Sequence, residues 1–247
     1  MARTRLLIIG GLFLVGALGL GPPTFAASND LTVSQGSEGE IPIYTPPKKF
    51  IPRARVGGTL RGTEGKDPEI LALAPDHVGL TVKQNPVLNW FLSKPTTYPL
   101  RFTLVDTRVV KPIFEGPIPT PKQEGFQSLD LKDFGLSLEP DVQYRWYISA
   151  IRNSESPSQD IVAGGVIERC EFSSCVTVTP VVLTCDRQSV MANMLAGFWY
   201  DAMACLCDLI KDKPKDASLR RMRAGLLKQV GLNSLAEWDL QKAPPAR

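Results

Sequence analysis

The hydrophobic periodicity of this sequence changes once, near Arg187, and the change divides the chain into a β-rich part and a helical part. Between residues 69 and 167 the apolar residues come in short runs that are rich in β-branched and aromatic side chains. Pro and Gly separate these runs, and no helical pattern lies between them. After Arg187 the apolar residues recur three or four positions apart, which is the spacing of one side of an α-helix.

The short runs of the first part predict strands. Residues 100–105 alternate strictly between apolar and polar side chains, and 143–151 form the longest run. Strands of this length at fairly regular spacing favour an antiparallel β-sandwich of seven or eight strands, so the predicted fold is mainly β with a helical C-terminus. The other predicted strands lie near residues 70–73, 79–82, 87–92, 109–114, 127–131 and 161–167.

Tyr144 has the sequence context of a tyrosine that joins two sheets. It follows Leu138 by six residues and Pro140 by four, at the start of a predicted strand. In sandwich domains such a tyrosine turns its hydroxyl back to the upstream backbone. The spacing resembles the tyrosine corner of fibronectin type III domains and predicts an immunoglobulin/fibronectin III-like sandwich. Tyr144 and Trp146 are therefore expected to be structural residues on one buried face.

The helical part is predicted to be an α-helical hairpin with a short third helix. Its first helix ends at Pro214, and the second follows Asp216 as N-cap. Ser234 and Glu237 have capping-box spacing for the third helix.

Two residues of the first predicted helix are expected to have structural roles. Trp199 belongs to its apolar stripe, and Asp201 lies one step from that stripe. Asp201 is expected to be hydrogen-bonded and to tie the helices to the sandwich.

The N-terminus has the pattern of a cleaved secretory signal peptide over residues 1–26. Arg3 and Arg5 precede an apolar run at 6–20, and small residues lead up to Ala26. This run is shorter than the roughly 20 residues that span a bilayer, although an uncleaved anchor is the alternative. The protein is therefore expected to be exported, to the periplasm or beyond the cell.

Removal of the two arginines lowers the formal net charge from +3 to +1, so the charge gives no reason to expect nucleic acid as a partner. No second apolar stretch approaches membrane-spanning length, so no transmembrane segment is expected in the mature chain. The arm at 27–68 is rich in Pro and Gly and is expected to be disordered, or else to order on a partner. The predicted division is a signal peptide at 1–26, the arm at 27–68, the β-sandwich at 69–169, a Cys-containing connection at 170–186, the helices at 187–240 and a tail at 241–247.

No motif for nucleophilic catalysis, phosphate binding or metal binding is found in the sequence. His77 is the only histidine, and it lies in a turn-like Pro-Asp-His segment where a surface position is expected. A Gly-x-Ser-x-Gly elbow and a phosphate-binding glycine loop are both missing. We therefore predict no catalytic residue, no metal ligand and no cofactor. A hydrolase that uses carboxylates alone is the alternative, with Asp201, Glu168 and Glu171 as the residues to test.

The five cysteines all lie in the last third of the chain, and in an oxidising compartment they favour disulfides over metal binding. Cys205 and Cys207 cannot face the same side of a helix, so we expect them not to pair with each other. Cys170 and Cys175 could close a short loop, and Cys185 could pair with one of the helix cysteines. One cysteine is left over, and the sequence leaves the connectivity open.

Six separated motifs cover nearly all of the chain after residue 52: Arg53-x-Arg55-x-Gly57-Gly58-x-x-Arg61-Gly62, Leu71-Ala72-Leu73-Ala74-Pro75, Trp90-Phe91, Tyr144-Arg145-Trp146-Tyr147, Gly197-Phe198-Trp199-Tyr200-Asp201-Ala202 and Leu226-Leu227-x-x-Val230-Gly231-Leu232. Together they resemble the DUF928 family of exported, mostly cyanobacterial proteins. The resemblance implies an envelope protein and assigns no activity. This sequence departs from the family pattern in two segments. The arm after Gly62 has no cysteine, and the segment that directly follows Ile151 has none either. The resemblance therefore implies that a disulfide from the arm to the sandwich is absent here.

These observations favour an exported, non-enzymatic interaction or scaffold module of the cell envelope, with an envelope protein or a glycan as its partner. One alternative is a carboxylate-dependent hydrolase or binder that acts on envelope polysaccharide. The other is an accessory subunit in secretion or surface-protein assembly.

Overall fold

The computed structural model describes residues 41–47, 54–58, 67–109, 111–171 and 184–243. The predicted signal peptide and Cys175 lie outside these residues. The described part contains nine strands followed by four α-helices. The strands are β1 (Gly57–Gly58), β2 (Ile70–Ala72), β3 (Gly79–Thr81), β4 (Val87–Leu92), β5 (Leu100–Asp106), β6 (Phe114–Ile118), β7 (Gly125–Asp130), β8 (Gln143–Ala150) and β9 (Ile161–Arg169), and the helices are α1 (Arg187–Leu195), α2 (Trp199–Asp212), α3 (Ala217–Gln229) and α4 (Asn233–Gln241).

The strands form two sheets, with the orders β1-β2-β4-β7 and β3-β9-β8-β5-β6. Buried residues of both sheets belong to one core, among them Trp90 of β4 and Trp146 of β8. The predicted class, mainly β with a helical C-terminus, is confirmed. The expectation of a wholly antiparallel arrangement is wrong for one pair, because β3 runs parallel to β9. The chain leaves the first sheet after β2, turns at residues 75–78, and enters the second sheet beside β9 in the same direction.

The strand β8 has the alternation that its sequence predicts. Tyr144, Trp146 and Ile148 are buried, whereas the residues between them are only partly buried. The Tyr144 hydroxyl accepts a hydrogen bond from the Glu139 backbone N–H at 3.1 Å. Since β7 and β8 lie in different sheets, this bond fixes the connection between the sheets, as the sequence predicts.

Replacing Tyr144 by phenylalanine is expected to lower the free energy of unfolding by about 1–2 kcal/mol, because the Glu139 N–H would lose its acceptor. Urea denaturation followed by tryptophan fluorescence measures the effect. Tyr147→Phe is the matched control, since Tyr147 lies on the other face of β8 and its hydroxyl makes no hydrogen bond with the described residues. Equal stability of the two variants would contradict a clamping role for Tyr144.

The strand predicted at 109–114 is wrong, because this part of the chain is mostly a turn. The Asp106 carboxylate accepts the Arg108 N–H at 2.8 Å, and the Val109 N–H donates to the Asp106 carbonyl at 3.1 Å. The strand follows as β6, which contains Gly116 and Pro117. A proline is tolerated there because β6 is the outer strand of its sheet.

Four helices are found where a helical hairpin with a short third helix was predicted. The first predicted helix is interrupted and forms both α1 and α2. Gly197 has φ +87°, a left-handed conformation that favours glycine. A Cβ at this position would lie 2.9 Å from the Thr45 carbonyl oxygen. The arm therefore passes close to the chain at the interruption.

Of the two predicted N-caps of the later helices, one is found in the structure and the other is not. Asp216 caps α3 as predicted, with the Ser218 N–H donating to its carboxylate at 3.0 Å. The capping box of Ser234 and Glu237 is not formed. The helix α4 begins two residues earlier than predicted, and the N-cap position is taken by Leu232, whose side chain cannot accept a hydrogen bond.

Two segments of the arm, 41–47 and 54–58, pack against the domain, which differs from the expectation of disorder for 27–68. The Val56 N–H donates to the Gly164 carbonyl at 2.9 Å, and the Gly164 N–H donates back at 3.1 Å. Directly after Val56, β1 pairs with β2 of the other sheet. The segment is thus bonded to both sheets through its backbone, and composition gives no signal for such contacts.

Candidate functional site

The arm segment 41–47 is held in an extended conformation by a groove, here called the arm groove, between α3 and the turn that joins α1 to α2. The Gln229 amide N–H donates to the Pro42 carbonyl at 2.8 Å, and the Gln229 carbonyl oxygen accepts the Tyr44 N–H at 2.9 Å. The Thr45 N–H donates to the Met194 carbonyl at 3.0 Å. Main-chain hydrogen bonds of this kind are those by which proteins hold extended peptides.

Alternate side chains of the segment enter the arm groove. Pro42 and Tyr44 are buried, whereas Ile43 is 71% exposed. The Tyr44 ring packs edge to face on Trp199, with ring centroids 5.0 Å apart. A Cβ at Gly225 of α3 would overlap the Ile41 side chain, so the missing side chain makes room for the arm.

An open pocket of about 310 Å³, here called the arm pocket, lies beside the arm groove. The His77 ring forms one wall and stacks on Tyr44 with ring centroids 5.6 Å apart. His77 Nδ1 lies 2.9 Å from the Val78 carbonyl oxygen, which can only accept, so this contact favours the tautomer in which Nδ1 is the donor and Nε2 the acceptor. The pocket is lined by Tyr44, Pro46, Pro47, Asp76, His77, Gln229 and Val230.

Arg55 connects two of the segments that surround the arm pocket. Its guanidinium Nη1 donates to the Ala74 carbonyl at 2.9 Å and to the Val230 carbonyl at 2.9 Å. Its backbone N–H lies 3.4 Å from an Asp76 carboxylate oxygen. The corner after β2 and the end of α3 are thus held at a fixed separation.

The two tryptophans that the sequence assigns to structural roles anchor the helices on the sheets. The Trp146 indole N–H donates to the Tyr200 hydroxyl at 2.9 Å, and that hydroxyl donates to the Val166 carbonyl at 3.1 Å. The Trp199 indole N–H donates to the Leu73 carbonyl at 2.8 Å. These buried hydrogen bonds hold the start of α2 against both sheets.

Asp201 ties α2 to β3, in the way that its position in the sequence suggests. One carboxylate oxygen accepts the Thr81 hydroxyl at 3.1 Å, and the other accepts the Val82 N–H at 3.0 Å. The side chain is 5% exposed. Burial raises the pKa of the Asp201 carboxyl to about 6, although the hydrogen bond from Val82 and the charge of Lys83 oppose the shift.

Asp201 makes stability depend on pH in a defined window. An aspartate carboxyl in an unfolded chain has a pKa of about 3.9, whereas burial raises the folded-state pKa of Asp201 to about 6. The folded protein holds this proton more tightly, so stability is lost as pH rises through 6. We expect the free energy of unfolding to fall by about 2 kcal/mol between pH 4.5 and pH 7.5, and this fall to be absent in Asp201→Asn.

Chemical denaturation across this range measures the difference. Asp106 and Asp186 do not interfere, since their pKa values are lowered by hydrogen bonds and their contributions are lost only in stronger acid. Asp208→Asn, on the exposed side of α2, is the matched control and should keep the wild-type profile. A fall of the same size in Asp201→Asn would contradict the assignment.

A small cleft of about 60 Å³ adjoins Asp201 and reaches a disulfide. Cys185 is bonded to Cys205, which is one of the pairings that the sequence left open. Of the cysteines that the structure describes, Cys207 is free and buried. Cys170 is also disulfide-bonded. The cleft is lined by Val82, Lys83, Val87, Thr184, Cys185, Asn193, Asp201, Ala204, Cys205 and Asp208.

The remaining acids of the hydrolase alternative lie at the end of β9. Glu168 is buried and accepts a hydrogen bond from the Gln143 amide at 3.1 Å. Glu171 lies exposed just after the strand. Among the described residues, no group of three or more His, Cys, Asp or Glu side chains is arranged to hold a metal ion.

The arm pocket was not predicted from the sequence, because its walls come from three distant segments. A sequence signal that could have indicated the pocket is the two-residue period of segment 41–45, in which Pro42 and Tyr44 are the buried positions. His77 lies in a turn and is partly exposed, in agreement with the expected surface position, and its ring also forms a wall of this open pocket.

The described residues define a two-sheet β domain whose C-terminal helices bind an extended segment of the same chain. No helix in this part of the protein is long and apolar enough to cross a membrane.

The family model named Domain of Unknown Function (DUF928) matches residues 56–240, and the chain belongs to this family. No curated protein and no solved structure matches the chain. The matched range includes α3 and the turn before α2, and it begins after the arm segment 41–47.

Proposed function

We propose that this protein is an exported, non-enzymatic interaction module of the cell envelope and that its partner binds at the arm pocket. The observation that carries the proposal is the recognition of the arm by the helical face. Gln229 contacts the main chain on both sides of Ile43, and the pocket beside it stays open. A surface that already holds an extended segment, with an adjoining pocket, suits a binding role.

The strand order supports an immunoglobulin/fibronectin III-like sandwich. If β2, β4 and β7 correspond to strands A, B and E, and β5, β8 and β9 correspond to strands C, F and G, the two sheets have the immunoglobulin arrangement without strand D. The Tyr144 hydrogen bond then lies at the E–F corner, where a tyrosine corner belongs. Folds of this class present loops and edge strands for binding and do not by themselves indicate chemistry.

The walls of the arm pocket favour a partner with both flat apolar surface and hydrogen-bond donors. Pro46, Pro47 and Val230 supply apolar walls, and His77 Nε2 and the Asp76 carboxylate supply acceptors. Sugar rings and extended peptides both offer this combination, in agreement with an envelope glycan or protein as partner.

A retention experiment tests the proposal. Immobilised wild-type protein is exposed to solubilised cell envelope, and the retained fraction is treated with protease or with periodate to distinguish protein from glycan. We expect Asp76→Asn and His77→Gln to retain at least about tenfold less of the same component, as the loss of a good polar contact predicts. Glu115→Gln on β6 removes the same charge far from the pocket and should retain as much as the wild type.

Two outcomes would contradict the proposal. Equal retention by all variants would exclude the arm pocket as the binding site, and no retention by folded wild-type protein would count against an interaction function. Cleavage of envelope polysaccharide by the wild type, lost in Asp201→Asn, would instead favour the carboxylate-dependent hydrolase. Recovery of secretion components would favour the accessory-subunit alternative.

A further inference from the structure

The disulfide between Cys185 and Cys205 has one accessible sulfur and one protected sulfur. Cys185 precedes α1 and is exposed, whereas Cys205 lies within α2 and is 7% exposed. A thiolate from another molecule can therefore approach Cys185 Sγ, and its attack would make Cys205 the leaving group.

The leaving sulfur and a buried carboxyl group line the same cleft. Asp201 precedes Cys205 by four residues in α2, so the two side chains lie on the same side of the helix, one turn apart. Both line the small cleft, which also reaches Cys185. A thiolate formed at a buried sulfur is disfavoured by desolvation, and a proton donated as it forms removes that cost.

We propose that Cys185 and Cys205 form a reactive disulfide that exchanges with a dithiol protein partner, and that Asp201 donates the proton to Cys205 as that sulfur leaves. This inference is independent of the proposed partner at the arm pocket, because it rests on other residues on a different part of α2.

The exchange balances without a further reactant. A thiolate of the reduced dithiol partner attacks Cys185 Sγ, a bond forms between these two sulfurs, and the bond between Cys185 and Cys205 breaks. The electron pair of the broken bond goes to Cys205 Sγ, which takes the proton of the Asp201 carboxyl group. The second thiol of the partner then loses its proton to water and attacks the partner's own sulfur in the mixed disulfide, and the bond to Cys185 breaks. Cys185 Sγ leaves with the electron pair and takes a proton from water, and the Asp201 carboxylate regains its proton from water. The partner is oxidised by two electrons to a disulfide, and both cysteines are reduced to thiols.

Two other charged groups line this cleft. Lys83, just after β3, lies close enough to Asp201 for its charge to favour the carboxylate form. Asp208 lies two turns from Asp201 along α2 and is exposed. Cys207 takes no part, because it lies two residues from Cys205 on another side of α2 and its sulfur contacts Arg223 at 3.5 Å.

The test is the rate of reduction of this one disulfide as a function of pH, measured on the full mature chain. Dithiothreitol and a reduced thioredoxin serve as dithiols, samples are quenched in acid, and differential alkylation with mass spectrometry counts the thiols at Cys185 and Cys205 separately from those at other cysteines. The second-order rate constant is divided by the thiolate fraction of the dithiol. In the wild type we expect this corrected constant to fall by about tenfold or more between pH 5 and pH 8, as for the loss of a general acid. In Asp201→Asn we expect the corrected rate constant to be low and to stay the same between pH 5 and pH 8.

Two further variants separate proton donation from a structural role. Thr81→Val removes one hydrogen bond to Asp201 and leaves the acid in place, so it should keep the pH-dependent fall even if it is less stable. Asp208→Asn should also keep it. The proposal is overturned if the wild-type profile is flat, if Asp201→Asn retains the fall, or if the disulfide resists both dithiols in the folded protein. If Asp201→Asn does not fold, a flat profile in Thr81→Val together with a falling profile in the wild type would equally overturn it, because a structural effect would then account for the pH dependence.

Discussion

Gly164→Ala is expected to lower the free energy of unfolding by about 3 kcal/mol, at the upper end of the usual cost of overpacking. A Cβ at this position would overlap the carbonyl oxygen of Trp146 and would lie 2.7 Å from Cδ1 of Tyr147. The first of these contacts is with backbone, which cannot move aside as a flexible side chain can. Gly164 also exchanges two hydrogen bonds with Val56, so β9 is held from both sides.

Thermal and urea unfolding of Gly164→Ala, compared with Gly57→Ala, measures this effect. Gly57 lies in β1, and a Cβ there would meet no atom within 4 Å, so the same substitution should change stability by less than about 0.5 kcal/mol. A loss of similar size in both variants would contradict the close approach to Trp146 as its cause, since the lower entropy of the unfolded alanine variant acts in the opposite direction and favours the folded state.

Arg223→Ala is expected to cost about 3 kcal/mol, the lower end of the usual cost of breaking a buried ion pair, because the buried Asp239 carboxylate loses its bidentate partner and keeps the longer 3.1 Å hydrogen bond from Arg220. Two guanidinium nitrogens of Arg223 donate to the two carboxylate oxygens of Asp239, each at 2.7 Å. Asp239 is 0% exposed, and the Arg223 guanidinium carbon lies 3.6 Å from the centre of the Phe126 ring. The pair therefore joins α3, α4 and β7, and its loss should loosen α4.

Chemical denaturation measures the loss, and Arg221→Ala serves as the control because Arg221 is the exposed neighbour on α3. Tryptophan fluorescence should report the change at α4 through Trp238, whose ring packs on Phe126. The double variant Arg223→Met with Asp239→Leu should recover part of the stability, since both members of the bidentate pair are removed, while Arg220 loses its own contact with Asp239. Equal stability of Arg223→Ala and Arg221→Ala would contradict a structural role for the buried pair.

The sequence predicted those elements of the fold whose own periodicity was strong. The strand β8 alternates over its whole length, and the predicted run at 143–151 differs from it by one residue at the end. The predicted hydrogen bond of the Tyr144 hydroxyl is also formed. The strand β6 lies further along the chain than predicted, because it contains Gly116 and Pro117, which sequence patterns assign to turns. The interruption at Gly197 was missed because Phe198 continues the apolar spacing across it. Local pattern cannot register a backbone contact with Thr45, which determines the break.

The candidate sites show the same division between local and distant signals. Asp201 was singled out because an acid beside an apolar stripe is visible in the sequence. Pairing of Cys185 with a helix cysteine was one of the possibilities that the sequence left open, and the structure has it with Cys205. The arm pocket depends on Tyr44, His77 and Gln229, and no short-range pattern links these positions.

The clamp of Gln229 on the arm has a consequence for the order in which the protein assembles. The Gln229 amide lies 187 residues along the chain from the Pro42 carbonyl that it contacts, and the Trp199 indole lies 126 residues from its acceptor at Leu73. Closing loops of this length is entropically costly and slow, so the contacts near the helices form late. The arm segment 41–47 is synthesised before the helices and therefore reaches its final position last, only after α3 has formed. A chain truncated before α3 lacks the surface on which this segment docks.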